Sequence, residues 1–298
     1  MKDQFAPKNN LIIVAYDFTK QSDCALNHVN NLAKTTNSTI ELVHIITKES
    51  KDNYKGNAAT ATIGIQENLT KIAESNQATT GITTVATATD GDIFSTIGEI
   101  AEKRNAWFLS FGTHGVKGMQ HILGAFALKL VSSSPCPVII VQNKNIAEHG
   151  YKNILLPIDR TMESKQKVYQ AISLAKLYNS NIHLIATHEN DEFFERAVKA
   201  NVGFVKNKLE EFGLTLASEE YQDPKSKDSF GKQTIKHASI NHMDLILIIT
   251  SEDKGIIGAI VGAEDVKIIN NDDSIPVMCI NPVNSMILGK IISFGGFV

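Results

Sequence analysis

The sequence predicts an α/β protein made of two tandem doubly wound, Rossmann-like domains, each a five-stranded, mainly parallel sheet with helices on both faces. Three observations predict it. Short apolar runs alternate with longer segments of helical spacing along the chain, the pattern of parallel strands joined by crossover helices. Leu11 to His44 can be laid without a gap on Asn153 to Ala186 at one offset of 142 residues (159 − 17), which makes the pattern an internal repeat. The chain, at 298 residues, exceeds the size at which a single hydrophobic core usually stops growing.

The repeat is specific in its residues. It sets Asp17 on Asp159, Thr19 on Thr161, Ser22 on Ser164, Leu32-Ala33-Lys34 on Leu174-Ala175-Lys176, and Asn37-Ser38 on Asn179-Ser180. In the first half, strands are predicted near Leu11–Tyr16, Thr39–Ile46, Thr83–Thr87, Trp107–Phe111 and Val138–Gln142. Helices are predicted between them, near Lys20–Thr36, Ala59–Ser75, Ile93–Arg104 and Ala125–Ser132. The polar stretch Lys48 to Thr62 reads either as a solvated surface loop or as a flap over a site.

The second half repeats the order. Its strands are predicted near Ile154–Ile158, Asn181–Thr187, Thr215–Glu220, Leu245–Ile249 and Val277–Ile280, and its helices near Glu163–Tyr178, Glu192–Phe212, Ser229–Asn241 and Glu264–Asn270. The polar segment Asn143 to Gly150, with Asn145, Glu148 and Gly150 suited to an exposed linker, divides the chain into domains 1–147 and 148–298.

Composition narrows the function. A formal charge of -3 gives no basic footprint for nucleic acid. Cys24, Cys136 and Cys279 are widely spaced, odd in number and without a CxxC pair, so neither a disulfide framework nor a metal site is expected; they read as small buried hydrophobes in a reducing compartment. The polar start MKDQFAPKNN and the lack of about 18 consecutive apolar residues point to a cytoplasmic protein without a membrane partner. The apolar stretch Met286 to Val298, broken by Lys290 and Gly295-Gly296, reads as an edge strand or interface segment.

The segment richest in chemistry runs from Gly112 to Ala125, after a predicted strand and before a helix. Glycines permit positive φ and let backbone N–H groups approach an anion, and a helix start adds unpaired N–H donors, so a phosphate is the natural occupant. Gly112, Gly115 and Gly118 could equally do no more than shape a long strand-to-helix connection. Asp17 closes the first strand on the neighbouring side of the same crevice, the place where open α/β sheets bind ligands. Its carboxylate suits a ribose hydroxyl or a base N–H, or the cap of the helix starting at Lys20, a role open to Thr19 as well.

The strand ending in Asp17 and the run GTHGVKGMQHILGAFALKLVSSSPCPVIIVQ, with its serine-rich turn Ser132-Ser133-Ser134-Pro135-Cys136-Pro137, resemble the universal stress protein family. The resemblance covers nearly the whole chain. It implies binding of ATP or a related adenine nucleotide, with Asp17 and Val43 facing the adenosine, Gly112 and Gly115 lining the phosphate turn, and Gly124 with Ala125 holding the terminal phosphates. The family loop reads G-x2-G-x9-G-(S/T). Here Val116 to Leu123 supply eight residues between Gly115 and Gly124, and Ala125 stands where a hydroxyl is usual, which implies weaker binding. Lys117 could reach a phosphate as a point charge or lie solvated, and His114 and His121 lack metal-ligand partners.

The second copy keeps Asp159 but loses the glycine turn. With Gly262 matched to Gly124, Thr250 falls opposite Gly112 and Asp253 opposite Gly115; Glu252 and Asp253 then put carboxylates where phosphates would sit, and Glu264 with Asp265 occupy the helix start that would attract them. Gly255 and Gly258 supply the alternative of a shifted loop. The resemblance further implies pairing of the two domains within the chain through their fifth strands and leaves room for a homodimer. No Walker loop, paired magnesium carboxylates or nucleophile elbow occurs, so the protein reads as a binder with at most slow, incidental ATPase activity. Its roles are then a nucleotide-responsive stress protein or an interaction scaffold holding another small ligand.

Overall fold

The computed structural model describes residues 10–52, 60–113, 123–250 and 263–282. In the first half β1 (Leu11–Ala15), α1 (Lys20–Thr36), β2 (Thr39–Ile46), a short α2 (Lys48–Asp52), α3 (Ala61–Thr80) and β3 (Thr84–Asp90) lead into α4 (Ile93–Lys103), β4 (Phe108–Gly112), α5 (Leu123–Ser133) and β5 (Val138–Val141). In the second, β6 (Asn153–Ile158) is followed by a 3-10 turn (Ser164–Lys167), α6 (Val168–Tyr178), β7 (Asn181–Ala186), α7 (Glu192–Glu211) and β8 (Leu216–Tyr221). Then come α8 (Phe230–Ile240), β9 (Leu245–Ile249), α9 (Ala263–Ile269) and β10 (Val277–Ile280).

The strands form one sheet in the order β3-β2-β1-β4-β5-β10-β9-β6-β7-β8. Neighbours are parallel within each half, and the halves meet where β5 runs antiparallel to β10, with Ile139 opposite Met278. The fold is therefore the expected pair of doubly wound units, fused edge to edge.

Strand sequences explain their places. LIIVA, VIIV and LILII are apolar throughout because central strands are covered on both faces, whereas the outermost strands TVATATD and LASEEY carry several polar residues. Ile12 and Val14 join the core layer under α1, α3, α6 and α7, while Ile13 joins the layer under α4, α5, α8 and α9. The repeat extends to caps: Asn37 and Asn179 end α1 and α6 in the left-handed conformation, both at φ 53°.

Several expectations need correction. The stretch from Lys48 opens with a helical turn, because Thr47 and Ser50 cap each other: Ser50 N–H donates to Thr47 Oγ1 at 3.1 Å and Thr47 N–H to Ser50 Oγ at 3.3 Å. β3 starts at Thr84 and runs to Asp90, since it follows β2 in register to Ile46. Gly150 is buried rather than exposed; at φ 72° it packs under Tyr178, whose ring would lie 2.2 Å from an added Cβ.

The segment after β5 is strapped along α1. Gln21 Nε2 donates to Asn143 Oδ1 at 2.8 Å, the His28 ring nitrogen Nε2 bonds the Lys144 carbonyl at 2.8 Å, and Asn31 Nδ2 reaches the Glu148 carbonyl at 3.2 Å. Beneath it the Tyr151 hydroxyl bonds His28 Nδ1 at 3.0 Å.

Candidate functional site

The carboxyl ends of β1, β2 and β4 surround a cavity of about 660 Å³. At its mouth the chain leaves β1 through Tyr16, Asp17 and Phe18. Thr19 caps α1, its hydroxyl accepting the Ser22 N–H at 3.3 Å. The helix cap thus falls to Thr19. Asp17 braces it, with Oδ1 accepting the Thr19 N–H at 3.1 Å and hydroxyl at 2.6 Å, while Oδ2 takes no hydrogen bond from the described residues. Phe18 is held at φ 64°, a left-handed conformation costly for a non-glycine residue, and its ring lies 4.9 Å from that of His44.

His44 projects from β2 into the same space. Its Nδ1–H donates to the Tyr16 carbonyl at 2.7 Å, which leaves Nε2 to accept the Ser50 hydroxyl at 3.2 Å. Burial lowers its pKa, partly offset by that carbonyl and by Asp17, so the ring is neutral near pH 7. α2 is held beside the mouth by the Lys51–Asp90 ion pair at 2.6 Å. Tyr16 donates to Asp23; burial first, then this carboxylate, raises its pKa.

The structure brings together Asp17, Val43 and Gly112, all of which line the cavity. Gly112 has a packing reason of its own: a Cβ there would stand 2.2 Å from the Gln21 carbonyl carbon, because the end of β4 presses on the first turn of α1. Gly115 lies outside the described residues, as do His114, Lys117, Gly118 and His121. Gly124 and Ala125 fall in the first turn of α5, which begins at Leu123, two residues before the predicted helix start. Deeper in, Ile65, Ile97, Phe111 and Leu130 make an apolar wall. Sequence reasoning missed His44, Ser50 and Asn68. Of these only His44 carried a signal, a polar residue inside the apolar run LVHII.

The second half copies the turn and changes its surroundings. Asp159 Oδ1 accepts the Thr161 N–H at 2.7 Å and hydroxyl at 2.5 Å, as Asp17 does for Thr19. Buried Asn201 pins this turn by donating to the Asp159 and Thr161 carbonyls at 2.9 and 2.7 Å. Arg160, in the place of Phe18, lies 4.1 Å over the Phe194 ring and 3.5 Å from Glu189. Lys167, 4% exposed, replaces the buried Ala25; desolvation lowers its pKa to about 8 against the pull of Asp159 and Asp265.

The loop alignment shifts by one. Thr113 N–H bonds the Val141 carbonyl at 2.8 Å and Thr250 N–H the Ile280 carbonyl at 3.0 Å, so Thr250 corresponds to Thr113, and Ile249 to Gly112. Glu252, Asp253, Gly255, Gly258 and Gly262 lie outside the described residues.

Among the described residues no group of three or more His, Cys, Asp or Glu side chains could hold a metal ion, and no helix is long and apolar enough to cross a membrane. Cys24 and Cys279 are buried, as expected, while Cys136 is only partly so.

Residues 9–142 match the family model described as the Universal stress protein family. Universal stress protein A homolog 1 of Coxiella burnetii (strain RSA 493 / Nine Mile phase I) is 29% identical over 143 residues, 45% of this chain and 96% of that relative. A universal stress protein from Archaeoglobus fulgidus DSM 4304 is similar in structure with a TM-score of 0.74 and 16% identity, over 92% of this chain and 99% of that one. A protein of unknown function from Pseudomonas aeruginosa PAO1 aligns over 100% of both chains at 16% identity and a TM-score of 0.61. At such identities the two structures speak for the fold alone, across both halves.

Proposed function

Residues 9–142 match the Universal stress protein family, and from that premise we propose that the chain is a member of it whose first half binds ATP or a related adenine nucleotide in the crevice beside Asp17. One observation carries the reading: a cavity of about 660 Å³, in the range of small-molecule sites, opens at the strand ends where the sheet order reverses and is lined by Asp17, Val43 and Gly112. Asp17 supports it further, since Oδ1 is spent on Thr19 and Oδ2 remains to accept a ribose hydroxyl or base N–H. The apolar wall suits a base, and the Phe18 ring at the rim suits a planar face.

Under this reading the protein is a cytoplasmic stress-response binder. It turns nucleotide over slowly if at all and acts through conformation or partner choice, while the second half, with Arg160 and the buried Lys167 in the place of Phe18 and Ala25, supports the first by pairing with it. Titration calorimetry of the full chain with ATP, AMP and adenosine tests the proposal. Saturable binding that Asp17→Ala weakens supports it; no heat at millimolar nucleotide from a folded protein removes it. Gly115→Glu, which copies Glu252 of the second loop under the corrected alignment, should abolish affinity.

A second reading, a scaffold or a binder of another small ligand, has its own support. No lysine or arginine is among the described residues lining the cavity, and the lining is largely apolar, which favours a ligand with little negative charge. Adenosine binding as tightly as ATP would favour it.

A further inference from the structure

The two outer edges of the sheet are treated differently by the helices beside them. On β3 the outward backbone groups are taken up by α3. Gln77 Oε1 accepts the Thr84 N–H at 3.1 Å, Gln66 Oε1 accepts the Ala88 N–H at 2.7 Å, and Gln66 Nε2 donates to the Ala86 carbonyl at 3.2 Å. An incoming strand would have to displace these bonds, so that edge is sealed.

β8 has no such seal. Gln222 N–H donates inward to the Ala186 carbonyl at 2.8 Å, so strand alternation turns the N–H and C=O groups of Glu219 and Tyr221 outward. Among the described residues no side chain hydrogen-bonds to the β8 backbone. A register shift opposite Ile182 and His183 confines the accessible stretch to Ser218–Tyr221. Beside it a cleft of about 380 Å³ lies between Lys206 and Glu210 of α7 and the strand.

The rim of this edge is acidic. Glu219 and Glu220 sit on the strand and Glu210 and Glu211 end α7, while Lys206 and Lys208 are already paired with Glu219 at 2.9 Å and Glu211 at 2.7 Å. A second copy of LASEEY paired antiparallel here would set carboxylates against carboxylates, which is unfavourable. A basic strand reverses the sign. Tyr221, 42% exposed, adds a ring for an incoming side chain to pack on.

We infer that the β8 edge accepts an extended, lysine- or arginine-rich segment of another polypeptide as an added strand. Backbone groups of Glu219 and Tyr221 supply the ladder, and the surrounding glutamates select the charge.

The test uses the full chain and a heptapeptide alternating lysine and valine, read by residue-resolved amide hydrogen exchange. Added peptide should slow exchange at Glu219 and Tyr221 by about tenfold or more, leave Thr84 and Ala88 unchanged, and lose its effect as salt rises. The same peptide with a central proline keeps its charge but cannot pair, and should protect nothing. A Glu219→Lys/Glu220→Lys double variant, its fold checked at Thr84 and Ala88, should switch preference to an acidic peptide. Lack of protection at millimolar peptide overturns the proposal, as does equal binding of the proline peptide. Protection that grows with protein concentration alone would instead identify a second copy as the occupant and overturn it too.

Discussion

Gln142 and Asn281 cap each other's halves across the centre of the sheet. Gln142, just after β5, donates Nε2–H to the Ile269 and Asn271 carbonyls at 3.2 and 2.9 Å, closing the end of α9. Asn281, just after β10, donates Nδ2–H to the Val131 and Ser134 carbonyls at 2.8 and 2.9 Å, closing the end of α5. Each half thus finishes the last helix of the other, so the two do not separate without exposing unsatisfied carbonyls.

Replacing either residue by alanine should therefore destabilise the whole chain. The expected loss is about 1–3 kcal/mol for each variant, because buried carbonyls lose their donors. Urea unfolding at constant slope measures it; an unchanged midpoint would show that the reciprocal caps contribute little.

Gly112→Ala tests whether that glycine is a packing residue. Its Cβ would meet Gln21 backbone, which cannot rotate away, and the predicted cost is roughly 1–3 kcal/mol. Ligand affinity should be compared only after stability, since a retained midpoint would return Gly112 to a purely ligand-facing role.

His28 predicts a mildly acid-sensitive fold. Burial lowers its pKa to about 4, and the neutral ring accepts from Tyr151 while donating to the Lys144 carbonyl. The unfolded chain binds this proton near pH 6.5, so stability falls as pH drops from about 6.5 to about 4 and levels off below, for a total on the order of 3 kcal/mol. His28→Gln should flatten ΔG of unfolding across that window; an identical slope would assign the effect to other groups.

Asp17 and Asp159 share a turn but should differ in consequence. Asn at either position retains an oxygen for the following threonine, so both substitutions should leave melting nearly unchanged. Only Asp17→Asn should weaken adenine nucleotide binding, by about tenfold, as expected for a lost charged acceptor. Equal effects in calorimetry would mean that the first crevice is not the site.

Removing the seal on β3 is predicted to make the chain self-associate. Gln66→Ala frees Ala86 and Ala88 on a strand whose one charge, Asp90, is paired with Lys51, and light scattering should show concentration-dependent oligomers absent from the parent.

The fold was largely legible because its signals are local and repeated: apolar strand runs, the Asp-x-Thr turn, and Asn37 and Asn179 as helix ends. What escaped depended on contacts between distant residues. The α2 turn needed the Thr47–Ser50 cap, Gly150 is buried only because Tyr178 folds over it, and Thr250 found its place through hydrogen bonds to β10. At the site, Asp17 stood out as the last residue of a strand repeat. Ser50 and Asn68 are ordinary polar residues until α2 and α3 bring them to the cavity.

The antiparallel join of β5 and β10 reverses the direction of every strand from one half to the other. The carboxyl ends of the two strand sets therefore open at opposite poles of the molecule. A ligand at Asp17 and anything held near Asp159 would be strangers sterically, unable to touch or to share a lid. A single partner that read both ends would have to reach around the sheet, while a partner gripping one pole would leave the other free.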